Sequence, residues 1–380
     1  MTYLENIYQS FESKITLFLN AGNWRWRVVM VSIGLMLLSF FNNITPLEDF
    51  KFYYQEVIEK KDEFFLYRIT KERAADLTGH HVYEEPASNN RVFRLTLPVI
   101  VKVLRIRHVS IFIYGLQLLL GVLFYFMLTK FLFDLLKDKI AVFMASIALA
   151  CIYFGTSFFI ENCGYGDFYA FFFLFLGMYF RNPFIIFASI FAATWCDERA
   201  AVASGLVFLW WWVSPTLKND KKLSFIPSWQ MIATALGVVA YGALRLYLMK
   251  YAGMKATYKE GEFTQMILDS WPSYGFKFVW VIEGFWLLMF TAFLVLYSSK
   301  DYLKLLAVAG GTLVMVFLGM TTYDSTRSAS YVFPMFFLGF MVVRTKLTDR
   351  QLRILLAIVA LLCFLHPLAT KTRGVGYFLM

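Results

Sequence analysis

The stretch HVSIFIYGLQLLLGVLFYFMLT, residues 108–129, decides the class of this protein. It contains no Asp, Glu, Lys or Arg, and as a helix it is long enough to cross the roughly 30 Å hydrocarbon layer of a bilayer. Similar apolar stretches recur along the chain, at 27–42, 139–160, 168–181, 183–196, 200–213, 231–249, 276–297, 302–320, 331–343 and 352–368. The sequence therefore predicts an all-α fold, a polytopic transmembrane helical bundle of about eleven spans.

Composition supports the same class. The 380 residues are 59% hydrophobic and 19% aromatic, and only 16% are charged. A soluble domain cannot bury that much apolar surface, so lipid is the expected solvent, and 1–380 is read as one transmembrane domain. The net charge of +10 lies mostly in short loops between apolar runs. It therefore indicates orientation in the membrane rather than binding of nucleic acid.

The distribution of Lys and Arg predicts the orientation. With the N-terminus placed in the cytoplasm, basic residues are about twice as frequent in the inner segments as in the short outer ones. The first apolar run lacks a small-residue cleavage site, so it is predicted to stay in the membrane as a span. This orientation puts the C-terminus outside the cytoplasm.

Segment 43–107 is the one large piece predicted to lie outside the membrane, as an extracytoplasmic loop. Its first part has apolar residues at helical spacing from Phe50 to Ile58, as expected for an amphipathic helix lying in the interface. A second apolar stretch, Leu95–Ile106, contains Pro98, Lys102 and Arg105. It is predicted to be another interfacial or re-entrant piece rather than a full span.

Four charged motifs fall on the predicted outer side. They are Glu48-Asp49 after the first span, Glu161 to Asp167 between spans three and four, Asp197-Glu198-Arg199 between spans five and six, and Tyr323-Asp324-Ser325-Thr326-Arg327 between spans nine and ten. Two of them also have an ordinary structural explanation. Glu48-Asp49 could cap the interfacial helix, and Asp167 could cap span four after a tight turn.

The other two motifs lie close to apolar runs, where ionisable groups are costly and are usually paired or functional. Asp197 and Arg199 could form an internal pair that joins two helix ends. An Arg beside hydroxyl groups, as at Arg327, suits a phosphate because guanidinium binds phosphate oxygens through two bonds. Arg245, near the outer end of span seven, is a further phosphate candidate, although snorkelling to the interface explains it almost as well.

Cysteine and histidine give no metal-binding pattern. Cys163 and Cys196 could pair at the outer surface, but free thiols are favoured. The four His residues have no ligand spacing, and no phosphate-cradling Gly-rich loop or nucleophile elbow is present. No metal site is therefore assigned, and the missing Gly-rich loop and nucleophile elbow argue against an ATP-driven pump and a serine hydrolase.

The layout resembles the GT-C superfamily of membrane glycosyltransferases. Those enzymes have a first span followed by a long outer loop with interfacial helices and an acidic residue close after that span. In Pro46-Leu47-Glu48-Asp49-Phe50, Asp49 occupies that position, with Glu48 as the alternative. The chain lacks the fuller acidic motif usual there, which leaves the choice of base open. The motifs Asp-Glu-Arg and Asp-Ser-Thr-Arg also look like those of bacterial polytopic proteins of surface-polysaccharide pathways.

The resemblance implies a bacterial inner-membrane enzyme that uses a sugar on polyprenyl phosphate and a glycan or lipid-linked acceptor. It implies Asp49 or Glu48 as catalytic base and no certain cofactor. Substrate and phosphate binding are predicted for Arg327, Arg199, Tyr323, Asp324, Asp197, Glu198, Asp167 and Arg245, and the acidic groups among them could position the sugar or a divalent cation.

Three alternatives stay open. A polymerase or ligase of lipid-linked O-antigen repeats would act on the same face but transfer whole oligosaccharides. A transporter or flippase for lipid-linked saccharide would favour polar, broken helices at mid-membrane. A purely structural membrane subunit would tolerate single changes at the outer charged residues.

Overall fold

The computed structural model describes residues 3–42, 44–79, 90–218, 223–254, 262–322, 324–365, 368–370 and 374–376. As predicted, the fold is all-helical, with one short C-terminal hairpin in addition. The helices are α1 (Tyr3–Asn20), α2 (Trp24–Asn42), α3 (Ile44–Tyr53), α4 (Leu66–Ala75), α5 (Thr96–Leu104), α6 (Val109–Leu136), α7 (Lys139–Ala150), α8 (Tyr153–Ile160), α9 (Asp167–Tyr179), α10 (Pro183–Cys196), α11 (Arg199–Lys218), α12 (Trp229–Tyr251), α13 (Glu262–Ser270), α14 (Tyr274–Trp280), α15 (Phe285–Ser298), α16 (Tyr302–Met320), α17 (Ser325–Ala329), α18 (Phe333–Arg344) and α19 (Asp349–Leu365).

Short irregular turns connect several of these helices. A π-type turn, Tyr54–Glu59, continues α3, and 3-10 turns occur at Asn90–Phe93, Trp271–Ser273 and Ser330–Val332. The hairpin pairs β1 (Leu368–Thr370) with β2 (Gly374–Gly376) in antiparallel register, Ala369 opposite Val375.

Five helical runs in the described residues are long and apolar enough to cross a membrane, or up to seven if each of two bent pairs counts as one span. The five are Val109–Leu136, Arg199–Lys218, Trp229–Tyr251, Tyr302–Met320 and Ser325–Arg344, which contains α17, α18 and the turn between them. The predicted first span, 27–42, lies within α2. Together these helices indicate an integral membrane protein.

The count is lower than the predicted eleven because several apolar stretches are not single long helices. The stretch 139–160 is split into α7 and α8, which meet at 59°, and Ile267–Trp280 meets α15 at 77°. Helices α9 and α10 have only 13 and 14 residues, or about 20 Å at 1.5 Å per residue. Hydropathy alone does not reveal such breaks and short lengths, because the residues on both sides are equally apolar.

A core rich in phenylalanine holds the centre of the bundle. The run Ser325–Arg344 is surrounded on all sides by the protein, as expected for a helix that is apolar all round. Phe333 of α18 stacks on Phe154 of α8 with 4.2 Å between ring centroids, and Phe337 meets Phe131 of α6 edge-on at 5.1 Å. Such aromatic pairs each add about 0.5–1.5 kcal/mol beyond their buried area.

Segment 43–107 contains the short helices that the sequence predicts. The second apolar stretch forms α5, which buries Leu97 and Val101 and exposes Val103. Buried Glu63 accepts hydrogen bonds from the backbone N–H groups of Val109 and Ser110 at 3.0 and 2.8 Å, and so caps the start of α6. The cap fixes the approach of α4, which packs against both α5 and α6.

Closely packed glycines determine how near the helices approach each other. A Cβ at Gly121 of α6 would lie 1.9 Å from Cδ2 of the buried Phe158 ring, whereas a Cβ at Gly115 of the same helix would meet nothing within 4 Å.

We expect Gly121→Ala to lower the free energy of unfolding by about 1–3 kcal/mol or more through overpacking, with Gly115→Ala as the matched control close to neutral. Thermal unfolding of the detergent-solubilised variants measures this, and equal Tm values for the two would contradict the packing described here.

Candidate functional site

A buried carboxylate, Asp167, is the centre of a charged cluster at one end of the bundle. Its side chain is fully buried, and its Oδ1 accepts a 2.6 Å bond from Nη2 of Arg199. Its Oδ2 accepts bonds from Nε of Arg327 at 2.5 Å and from the Tyr153 hydroxyl at 2.9 Å. Two guanidinium groups therefore contact this one carboxylate, and such pairing is expected because an isolated buried charge is very costly.

The turn before Asp167 depends on glycine. Gly164 and Gly166 have φ of +83° and +82°, the left-handed region that residues with a Cβ rarely adopt. A Cβ at Gly164 would also lie 3.0 Å from the ring of Tyr67. The chain can therefore turn tightly into α9 and bring Asp167 inward rather than toward solvent.

A second buried carboxylate, Asp197, lies between α10 and α11. Arg199 donates to it from Nε and Nη2, both at 2.8 Å, so the predicted internal pair is present. Nη1 of Arg199 donates to the Ser328 hydroxyl at 2.8 Å. The pKa of Asp197 is lowered, because the charges of Arg199 and Arg94 and the bonds from Arg199 outweigh the opposing effect of burial.

Arg94 was not among the residues predicted from the sequence. Its Nε and Nη2 bind the two carboxylate oxygens of Glu198 at 3.0 Å each, and Nη2 lies 2.9 Å from Asp197. Its Nη1 donates to the carbonyl oxygen of Tyr165 at 3.1 Å. Arg94 thus joins the long segment before α6 to two later loops. The sequence did offer one indication of Arg94, because two arginines, Arg91 and Arg94, lie next to the second apolar stretch. A long loop has no periodic pattern, however, so the sequence did not show which later residues Arg94 would contact.

Arg327 connects the network to Tyr165. Its Nη1 donates to Asp324 at 2.7 Å, and its guanidinium carbon lies 3.7 Å from the Tyr165 ring centroid. The guanidinium of Arg91 is 5.1 Å from the same centroid. Tyr165 therefore carries two cations against its ring, an arrangement that cation–π attraction stabilises.

Glu161, at the end of α8, differs from Asp197 because its pKa is raised rather than lowered. Its oxygens accept backbone bonds from Tyr165 at 2.6 Å and Gly166 at 3.2 Å. Burial, and then the charge of Asp167, raise the pKa of Glu161 to about 8, although these backbone bonds and Arg327 act in the opposite direction.

Asp49 and Glu48 lie on α3, half-buried. Asp49 is close enough to the 161–166 loop that its charge, after burial, raises the pKa of the Cys163 thiol. The C-terminal hairpin contacts both α3 and α17, so α3 belongs to the same end of the bundle as Arg327.

The remaining predicted residues have varied positions. Arg245 donates to the Tyr241 hydroxyl at 2.6 Å and lies 4.3 Å from the Phe93 ring centroid, next to the Arg91–Arg94 turn. Tyr323 lies outside the described residues.

All four cysteines are free thiols, as the sequence favours. In the part of the chain that the structure describes, no group of three or more His, Cys, Asp or Glu is arranged to hold a metal ion.

A cavity opens beside this network, between α4, α5 and the 161–166 loop. Its polar lining includes Arg73, Arg91 and Arg94, and its apolar lining includes Leu66, Ile69 and Pro98. The cavity volume is about 30 Å³.

Comparison with known proteins gives no relative for this chain. No protein-family model matches it, and neither a curated protein nor a solved structure is significantly similar to it.

Arg327→Gln should leave Asp167 with one guanidinium instead of two. Breaking a buried ion pair typically costs about 3–5 kcal/mol, and here Asp167 would depend on Arg199 alone, which it shares with Asp197. We expect a loss of this size in the free energy of unfolding, measured by denaturant titration in detergent. Arg350→Gln, which removes an exposed pair with Glu5, is the control and should cost less than about 1 kcal/mol. Equal losses in both variants would contradict a central role for Asp167.

The raised pKa of Glu161 predicts a pH dependence of stability. Between the ordinary value of 4.5 and the folded value of about 8, the folded protein holds a proton that the unfolded chain has lost. The contribution is therefore fully present below pH 4.5 and is lost as pH rises to about 8. Glu161→Gln should flatten the curve of Tm against pH over this range.

The matched control for this experiment is Glu59→Gln, at an exposed position. It should keep the pH dependence of the wild type. A Glu161→Gln curve parallel to the wild-type curve would show that Glu161 is ionised in the folded protein at neutral pH.

Proposed function

We propose that the protein is a membrane glycosyltransferase of GT-C-like architecture. In this proposal it moves a sugar from a polyprenyl-phosphate donor to a lipid-linked or surface glycan acceptor on the extracytoplasmic face. The observation that carries the proposal is the position of Asp49. This half-buried carboxylate lies beside the 161–166 loop, at the end of the bundle where Arg91, Arg94 and Arg327 gather.

The reaction would need one base and one site for a leaving phosphate. The Asp49 carboxylate accepts the proton of the acceptor hydroxyl as its oxygen forms a bond to the anomeric carbon of the donor sugar. The bond from that carbon to the phosphate oxygen breaks, and its electron pair leaves with polyprenyl phosphate. Guanidinium groups stabilise the charge that grows on this phosphate.

The buried network would serve mainly to position these groups. Arg199 already donates from all three of its nitrogens, to Asp167, Asp197 and Ser328. Arg327 donates from Nε and Nη1, and no described residue accepts a bond from its Nη2. In this proposal Arg327 faces the phosphate, and Arg199, Asp167 and Asp197 hold it rigid.

A flippase for lipid-linked saccharide is the second candidate, favoured by one specific observation. Glu283 lies in the break between α14 and α15, is only 4% exposed, and its Oε2 has no hydrogen-bond partner in the described residues. Cys151, in the break between α7 and α8, lies near it. Ionisable groups at helix breaks are typical of transporters.

Asp49→Asn should abolish transfer while the protein stays folded, because the amide cannot accept the proton. The measurement is a mass-spectrometric profile of lipid-linked saccharides and surface glycan in cells lacking the protein. Wild type, Asp49→Asn and Glu48→Gln are then supplied at matched expression. We expect a truncated glycan in the deletion strain that wild type restores and Asp49→Asn does not, with a loss of at least about a hundredfold in product.

The matched control is Asp62→Asn, an exposed aspartate of the same segment, which should restore the glycan fully. A product shortened by one sugar supports single transfer, whereas loss of long chains alone supports a polymerase or ligase. Unchanged lipid-linked products together with lost flipping in vesicles would contradict the transferase and favour the flippase.

A further inference from the structure

The cavity between α4, α5 and the 161–166 loop has a one-sided charge. Among the described residues, three arginines line it, Arg73, Arg91 and Arg94, and no carboxylate does. Two acidic groups that do not line it, Asp197 and Glu198, are bound to Arg94. Within the described residues, the lining is therefore cationic, and the carboxylates that bind Arg94 lie outside it.

Arg91 differs from the other arginines of the cluster. Arg94 uses all three of its nitrogens on Glu198, Asp197 and the Tyr165 carbonyl. Arg73 donates to the carbonyl oxygens of Gly79 and Val92. No described residue accepts a hydrogen bond from the Arg91 guanidinium or forms an ion pair with it. Its guanidinium instead makes a cation–π contact with the ring of Tyr165.

The position of Arg91, buried and close to Arg94, disfavours its charged form. Burial, and then the charge of Arg94, lower the pKa of the Arg91 guanidinium to about 10. A bound anion would relieve both effects, since it supplies the opposite charge and accepts the unused N–H groups.

The rest of the lining is apolar. Leu66, Ile69 and Pro98 line the same cavity as the arginines, and Val99 and Val103 continue the apolar surface along exposed positions of α5. A ligand that fits both parts has a phosphate head and a hydrocarbon chain, rather than being a free anion.

We propose that this cavity binds the phosphate of a prenyl phosphate, with Arg91 as the residue that makes direct hydrogen bonds to it. The planar guanidinium offers two parallel N–H groups to two phosphate oxygens, Tyr165 holds its plane, and the chain runs along α4 and α5. The choice of a prenyl chain rests on the proposed function; the site for a phosphate-bearing amphiphile does not.

The test is equilibrium binding of radiolabelled farnesyl phosphate to the purified full chain in phosphatidylcholine nanodiscs. We expect saturable binding that Arg91→Gln weakens roughly ten- to a hundredfold, the usual size for a lost charged hydrogen bond. Arg91→Lys should give an intermediate loss, because it keeps the charge but not the two-pronged geometry. Arg107→Gln, at an exposed position before α6, should bind like wild type.

Competing compounds identify which part of the ligand is recognised. Unlabelled farnesol, which lacks the phosphate, and inorganic phosphate, which lacks the chain, should each compete at least tenfold more weakly than farnesyl phosphate. Competition by farnesol as strong as that by farnesyl phosphate would overturn the arginine site. If inorganic phosphate competed as well as farnesyl phosphate, the claim that the ligand needs a hydrocarbon chain would be overturned, and the cavity would be a site for free phosphate.

Folding and function are separated by two further readouts. Arg91→Gln should stay folded with at most a small drop in Tm, because it loses one cation–π contact, worth about 0.5–1 kcal/mol, and no hydrogen bond within the described residues. Wild-type affinity in this folded variant would overturn the proposal. Binding is measured without an acceptor. If the protein bound prenyl phosphate through Arg91 but transferred no sugar, the binding site would stand. Only the transferase proposal would then be contradicted.

Discussion

The neutralisation of Asp167 is the interaction on which the rest of the site depends. A fully buried carboxylate in a low-dielectric interior must be paired, and here its partners come from α8, α11 and α17. Each partner is then fixed in turn: Arg199 is held by Asp197, and Arg327 by Asp324. The ends of several helices are thus locked by charge, while aromatic packing holds the helices together along their length.

Tyr165 connects this rigid interior to the open cavity. Its carbonyl oxygen receives Arg94 and its ring receives Arg327 and Arg91. Of these three cations, Arg94 uses all of its nitrogens on described residues, whereas Arg327 keeps Nη2 and Arg91 keeps its whole guanidinium without a described acceptor. The same tyrosine therefore contacts one arginine that serves the structure and two that keep donors for a ligand, and Arg91 is the one of these two that lines the cavity.

The sequence predicted the helical class and the gathering of the charged motifs for simple physical reasons. Hydropathy identifies the apolar stretches, and the alternation of spans brings Asp167, Asp197 and Arg327 to one end. It did not reveal the break at Cys151 or the short lengths of α9 and α10, because the flanking residues are also apolar, and it predicted more spans than the described residues contain. It did not predict Arg94 either, because a contact across 104 residues from a long loop leaves no periodic signal.

The network also determines the order in which the molecule can be completed. Arg199 follows Asp167 by 32 residues, but Arg327 follows it by 160. At about 5–20 residues per second, the second guanidinium reaches the ribosome exit roughly 8 to 32 seconds after the carboxylate. During that interval the Ser325–Arg344 run, later enclosed on all sides, has not yet been added to the nascent bundle. The innermost helix is thus among the last to be synthesised, and its arrival both closes the core and completes the charge balance of Asp167.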